Sequence, residues 1–334
     1  MGWEIRGLRA EEMEQHGELV FNSYTHGRTL NLDSELDRML ARPDWWQRAA
    51  ASMPDYDPQQ TRVMVESGKL VCSVTCYPRL CYVAGRLARA ACIGSVCTHP
   101  TYRRRGLLRQ VLSDAIDWIR SQRILWSFLY GNEEVYRGSG WRHLTSWSVA
   151  ADLRVRDAFG AHIDARPVDL EADLPTLIAT YERFNSPLTG PVVRTEQYWR
   201  TRVLRAERAS EYSILTNAGR AIGYYVGTEG RSSEIAWTEG GRDVLAFLLR
   251  RWSGTVSLPL CIPGVVEALR DISLSPAQGD YYRHSGGIAL EEASRGLWQH
   301  HGDPEGFFPE FSDTAGLLRF LREHDYVMWP VGRL

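Results

Sequence analysis

Apolar residues at Leu107, Leu108, Val111, Leu112, Ala115, Ile116 and Ile119, separated by Arg109, Gln110, Ser113, Asp114, Asp117 and Arg120, recur with the period of a helix that buries one face. The pattern changes on both sides of it. Residues 92–98 are a short run of small and β-branched residues that stops at His99-Pro100, where proline cannot continue a ladder. Residues 124–130 are almost continuously apolar, as in a strand buried on both faces of a parallel pair joined by a crossover helix. The spacing therefore predicts a βαβ unit over residues 92–130.

The rest of the first half builds toward that unit. Residues 3–9 alternate as a strand, and residues 11–24 carry Met13, Leu19, Val20 and Phe21 at helical spacing. Residues 25–60 read as two short helices and a proline-rich loop. Residues 62–65, 70–77 and 80–83 read as antiparallel strands turning at Ser67-Gly68-Lys69 and at Pro78, and residues 86–98 complete the meander. A β-rich stretch at 142–154 closes a first domain of residues 1–154, and residues 155–164, with Gly160-Ala161, read as a linker.

Residues 165–334 then repeat the order in outline. Strand 165–170, helices 172–184 and 195–204, a hairpin of 213–216 with 221–228 around Asn217-Ala218-Gly219, strand 234–237 and helix 243–252 follow one another as in residues 1–120. Later pieces are strands at 255–260 and 288–289, helix 316–323 and strand 326–331. The fold class expected is a mixed-sheet α/β fold present twice. The stretch 281–287, YYRHSGG, stands roughly where 135–141, VYRGSGW, stands in the first copy.

Composition narrows the function. With 334 residues, 44% hydrophobic and 24% charged, the chain has room for two cores, and its formal net charge of −2 offers no basic excess for a nucleic-acid backbone. No apolar run is long enough to span a bilayer and no signal-peptide pattern opens the chain, so the reading is cytoplasmic, with neither nucleic acid nor membrane as partner. Five of the six cysteines, Cys72, Cys76, Cys81, Cys92 and Cys97, lie in predicted strands without a CxxC spacing, which favours buried thiols over a metal site.

The chemistry is concentrated before the crossover helix. Arg103, Arg104, Arg105, Gly106, Leu107 and Leu108 place three cations and a glycine at a helix start, where unpaired backbone N–H groups and the positive end of the helix dipole suit a phosphate. In the second half the same junction is Glu239-Gly240-Gly241-Arg242, shorter and without the arginine cluster, so a single anion site is expected.

The order strand, T-H-P-x-Y-R-R-R-G-L-L, amphipathic helix, apolar strand and V-Y-R-x-x-G-W resembles the acyl-CoA-binding core of the GNAT N-acyltransferases, and within them an Eis-like branch. That family's loop is written [R/Q]-x-x-G-x-[G/A]; here Leu108 holds the last position. Eis-like proteins carry tandem GNAT regions and a further sterol-carrier-like domain, for which this chain is too short at full size. The resemblance implies acetyl-CoA or another acyl-CoA as co-substrate, held by the 103–108 loop and by Val96, Cys97 and Thr98, along which the pantetheine arm would pair like a strand. A strand N–H there would polarise the thioester carbonyl.

Tyr136 would be the acid: a phenol with a reference pKa near ~10 is protonated at neutral pH and can donate to sulfur. The resemblance points to the terminal carboxylate of Leu334 as base, with Glu133, Glu134 and His99 as nearer carboxylate and imidazole candidates. Trp45 and Trp46 lie where such enzymes build an acceptor wall, and Asp33, Glu35, Asp37, Asp55 and Asp57 would suit a cationic acceptor. The function implied is N-acetyl transfer to the primary amine of a small molecule. Longer-chain transfer to a peptide or amino-sugar amine, or acyl-CoA binding without catalysis, are the alternatives, and residues 165–334 would shape the acceptor pocket.

Overall fold

The computed structural model describes residues 2–32, 35–42, 45, 53, 56–204, 211–228, 231–274 and 287–326. The chain forms two compact units that are not contiguous in sequence: residues 1–79, 89–143 and 297–317 make the first, and residues 80–88, 144–296 and 318–334 the second. Residues 155–164, expected as a linker, are tied into the second unit. Val155 bridges Ser273, the Gly160 N–H donates to Asp243 Oδ1 at 2.8 Å, and the Arg250 guanidinium donates to the carbonyls of Arg156 and Phe159.

In the first unit, β1 (Glu4–Gly7) pairs antiparallel with β2 (Thr61–Glu66), and β2 with β3 (Lys69–Val83). The sheet continues through β4 (Arg86–Thr98) and β5 (Trp126–Leu129) to residues 297–300 of β13 (Ile288–His300). Helix α1 (Met13–Thr25) covers one face of this sheet, followed in the chain by the short α2 (Glu35–Leu40). Helix α3 (Leu107–Ser121) covers the other, burying Leu107, Val111, Leu112, Ala115, Ile116 and Ile119 against Met64, Cys72, Val74, Ala91 and Ile93. Each such aliphatic side chain contributes roughly 1.5–3 kcal/mol on full burial, which is why the apolar stripe decides the placement of α3.

Two departures from the sequence pattern have local causes. Pro78 does not end a strand; β3 runs through it. Its pairing with β2 stops at Thr75 and its pairing with β8 (Thr189–Val192) begins at Cys81, so the residue without an N–H falls between two partners. β13 is a full strand rather than a two-residue piece. Its exposed polar run 291–295 hides the signal, and only its end, residues 297–300, pairs antiparallel with β5.

The second unit is built on β7 (Ile163–Pro167), β9 (Tyr212–Asn217), β10 (Arg220–Thr228) and β11 (Arg231–Trp237), each antiparallel to the next. Helix α5 (Leu174–Asn185) follows β7 as α1 follows β1, and α7 (Gly241–Arg251) with β12 (Thr255–Pro259) follows β11 as α3 and β5 follow β4. The pairing order of β1 to β4 thus recurs in β7, β9, β10 and β11, but the β4–β5 pair does not, because β12 is paired outside that sheet. Where a second helix was expected after α5, the chain makes one α-turn, α6 (Glu196–Tyr198), and one π-turn over Trp199–Val203. β6 (Arg142–Asp152) pairs with β12.

The core of this unit contains a charge pair. Arg194 donates to both carboxylate oxygens of Glu234 at 2.8 and 2.6 Å, Tyr224 donates to Glu234 at 2.6 Å, and Tyr181 and Trp199 stack on the guanidinium at 4.0 and 4.9 Å. Neither charged side chain is more than 1% exposed. The pair is stable only as a pair: Glu234→Gln should lower the unfolding free energy by about 3–5 kcal/mol, read as an earlier denaturant midpoint, because a buried guanidinium loses its counter-charge. A change under about 1 kcal/mol would contradict that assignment.

Candidate active site

β4 and β5 are parallel neighbours only at Ala90, Ala91 and Cys92, facing Trp126, Ser127 and Phe128. β5 ends at Leu129 while β4 runs on through residues 93–98. Past the end of the pairing, Ser95 takes a left-handed φ of +47°, and Gly94, Ser95 and Val96 are all half-buried instead of alternating. A left-handed residue inside a strand is the conformation of a bulge, and for serine it carries strain that its surroundings must offset. Tyr77 hydrogen-bonds the Ser95 hydroxyl at 3.2 Å, and the Tyr24 phenol donates to the Val96 carbonyl at 3.4 Å.

The chain leaves β4 at His99, turns through Pro100–Tyr102, and reaches α3 by an exposed loop. Arg104 has φ +63° and Gly106, the N-cap of α3, has φ +74°, with no side chain capping the first helical turn. Left-handed residues at a helix start are the geometry of anion-binding nests, and the uncapped N–H groups carry the positive end of the helix dipole. A Cβ on Gly106 would meet nothing within 4 Å, so the glycine serves the backbone angle and not a close approach.

The three arginines differ in availability. Arg103 is anchored by donation to the carbonyls of Ser23 at 2.7 Å and Thr98 at 3.3 Å, and Arg105 reaches the Thr101 carbonyl at 3.2 Å and lies over the Tyr102 ring. Among the described residues Arg104 has no internal partner, which leaves its charge available to a ligand. Leu107, the first residue of α3, is buried and Leu108 packs against the same cluster, which leaves their backbone rather than their side chains for a ligand.

Tyr136 ends α4 (Glu133–Tyr136), a single turn capped by the Asn132 side chain, which accepts the Glu134 N–H at 3.0 Å. The ring lies edge-on to Trp141, with centroids 6.2 Å apart, inside the cluster formed by α3 and β4. A Cβ on Gly131 would come within 2.7 Å of Tyr136 Cε2, so glycine there makes room for the ring. Burial, with a smaller push from the neighbouring Cys97, moves the phenol pKa up to about 12. The hydroxyl therefore stays protonated well beyond neutral pH. Because the folded pKa lies above the unfolded value near ~10, the associated stability is complete below that pH and is lost as pH climbs from there.

Residues 4–144 match the model of the acetyltransferase (GNAT) domain. They form a GNAT acetyltransferase domain. Over most of its length the chain also has the fold of larger GNAT proteins. A probable N-acyltransferase from Enterococcus faecalis V583 is 16% identical with a TM-score of 0.64, over 90% of this chain and 73% of that one. A GCN5-related N-acetyltransferase from Anabaena variabilis is 15% identical with a TM-score of 0.62, over the same shares. Eis1 from Mycobacterium abscessus is 16% identical with a TM-score of 0.59, over 91% and 75%. At these identities the likeness is one of fold. A comparison with curated protein sequences finds no match.

Within the GNAT domain, Val96, Cys97, Thr98, the 103–108 loop and Tyr136 all belong to the first unit and to one βαβ unit with its following turn. Other residues singled out in the sequence fall elsewhere. Trp45 is 7% exposed and packs among Leu8, Leu19, Val20, Leu40 and Val63, a packing position rather than a substrate wall. Asp37 is spent on the Arg28 guanidinium and the Asn31 N–H, and Asp57 caps Gln59. Trp46, Asp33, Asp55, residues 281–286 and Leu334 lie outside the described residues, as does the side chain of Glu35. His99 bonds Thr101 at 2.9 Å on the surface. Sequence reasoning missed Ser95 and Tyr24. A left-handed serine leaves no mark in hydropathy, and Tyr24 reads as one more apolar position of α1.

Proposed function

We propose that the chain is an acyl-CoA-dependent N-acetyltransferase that acylates a primary amine of a small molecule by direct attack. The observation that carries this reading is the Tyr136 phenol, buried edge-on to Trp141 in the cluster that α3 and β4 share. Fit to the co-substrate rests on the exposed loop: left-handed Arg104 and Gly106, an uncapped helix start and an unpaired guanidinium suit a pyrophosphate.

Acyl-CoA would supply the acyl group as an activated thioester. Backbone groups of residues 96–98 would hold the pantetheine arm, and the Arg104–Leu108 N–H groups with the Arg104 side chain would hold the diphosphate. As the amine forms its bond to the carbonyl carbon and the carbon–sulfur bond breaks, Tyr136 would hand its proton to the departing sulfur. The proton lost by the amine goes to a base, for which Glu133 and Glu134, on the same helical turn as Tyr136, are the carboxylates nearest in sequence. The second unit keeps a left-handed glycine, Gly240, and an uncapped start at α7, but the charged side chains of that first turn are committed elsewhere. Asp243 holds the Gly160 N–H and Arg242 pairs with Asp271 at 2.6 Å. The missing arginine cluster and these pairs support one co-substrate site per chain.

Tyr136→Phe should lower kcat by about 10²–10⁴-fold in a released-thiol assay with acetyl-CoA and an amine panel, with co-substrate affinity nearly intact. Wild-type kcat should hold its acid-dependent step as pH rises through 10, since the phenol titrates near 12. An unchanged rate in the variant removes Tyr136 from the mechanism. Arg104→Glu should weaken acetyl-CoA binding by more than about tenfold, and unchanged affinity would remove the loop. Binding without turnover on any amine would favour a non-catalytic acyl-CoA-binding protein.

A further inference from the structure

His16 and Ser73 are buried polar residues that the steps above leave unused. Both are 0% exposed, one on α1 and one on β3. Ser73 is flanked by Cys72 and Val74, whose side chains pack with α3, so strand alternation sends its own side chain to the face covered by α1. There its hydroxyl donates to the Ser95 carbonyl at 3.1 Å, and lies 3.0 Å from His16 Nε2 and 3.1 Å from Cys97 Sγ.

The donors can be assigned by counting protons. Ser73 has one hydroxyl hydrogen, and the Ser95 carbonyl can only accept, so that hydrogen is spent there. His16 must then donate from Nε2 to the Ser73 oxygen. Burial moves the imidazole pKa down to about 3, so the ring is neutral and its one N–H sits on Nε2. Burial likewise raises the Cys97 thiol to about 11, leaving an S–H that can be the second donor to Ser73. An apolar side chain would fill either place at lower desolvation cost, so what the polar chain adds is the geometry it imposes.

That geometry bears on Val96. The Ser95–Val96 peptide is trans, so its N–H points opposite to its carbonyl. With the Ser95 carbonyl pulled toward Ser73 and α1, the Val96 N–H is turned to the side on which α3 and Tyr136 pack. We propose that His16 and Ser73 are positioning residues that clamp the strained Ser95 peptide, so that the Val96 N–H is presented to the thioester carbonyl oxygen of the acyl donor. The role at the thioester rests on the acyl-transfer reading; the clamp on the peptide does not.

The test uses the full chain with Ser73→Ala, His16→Met and His16→Gln, the last keeping an N–H donor. Two readouts are taken: kcat and KM for acetyl-CoA, and amide hydrogen exchange of residues 93–98 without ligand. Ser73→Ala and His16→Met should lower kcat about tenfold to a hundredfold with KM changed less than about twofold, and His16→Gln should recover most of the loss. Exchange should accelerate in residues 93–98 and stay unchanged in α3. Unaltered kcat in Ser73→Ala in an active wild-type background overturns the catalytic part. Unaltered exchange at 93–98, or acceleration equally spread over the first unit, overturns the clamp. A wild-type chain inactive with every donor and amine overturns the acyl-transfer reading, and the exchange data still decide the clamp.

Discussion

The parallel hydrogen bonding between β4 and β5 stops at Cys92 and Phe128, and the residues assigned to chemistry lie where it stops. A parallel pair needs a crossover, and the crossover helix α3 is held over the sheet by its buried stripe. Its N-terminus is therefore fixed beside the free end of β4. The arginine–glycine loop has no independent freedom of placement: it is the shortest route from a strand that has lost its neighbour to a helix that cannot move.

The same constraint explains why buried polarity gathers on one strand. Once β4 runs beyond β5, its left-handed Ser95 can no longer be stabilised by a regular ladder on that side. Side chains of α1 and β3 take over, with Ser73 and Tyr77 bonded to Ser95 and Tyr24 to Val96. On the opposite side Tyr136 is set by Gly131 and Trp141, close enough to Cys97 for the sulfur to influence its phenol. In the second unit, Asp243 and Arg242 at the start of α7 are bonded to Gly160 and Asp271, and the unit's buried charge is neutralised within its own core by Arg194 and Glu234.

The elements legible in the sequence were those whose burial is periodic or continuous. α3 could be read from seven apolar positions, β5 from its unbroken run, and the hairpin of β9 and β10 from its turn residues. What escaped depends on partners distant in sequence. Pro78 is tolerated because β3 changes neighbours around it, and β13 becomes a strand because residues 297–300 meet β5, some 170 residues earlier. Within the site, the arginine loop and Tyr136 were visible as motifs, while the left-handed Ser95 and its brace were not, since both follow from α1 lying against β3. Asp37 and Trp45 were overread for a related reason: composition does not tell a solvated carboxylate from one already paired, as Asp37 is with Arg28.

Most rests on the proposal that the chain, whose second unit repeats the β1–β4 strand order as β7, β9, β10 and β11, binds acyl-CoA at one loop only. Calorimetric titration of the full chain with acetyl-CoA tests it most directly. One equivalent bound per chain, with an affinity that falls as salt is raised, is the result predicted; two equivalents, or no binding at all, would contradict it.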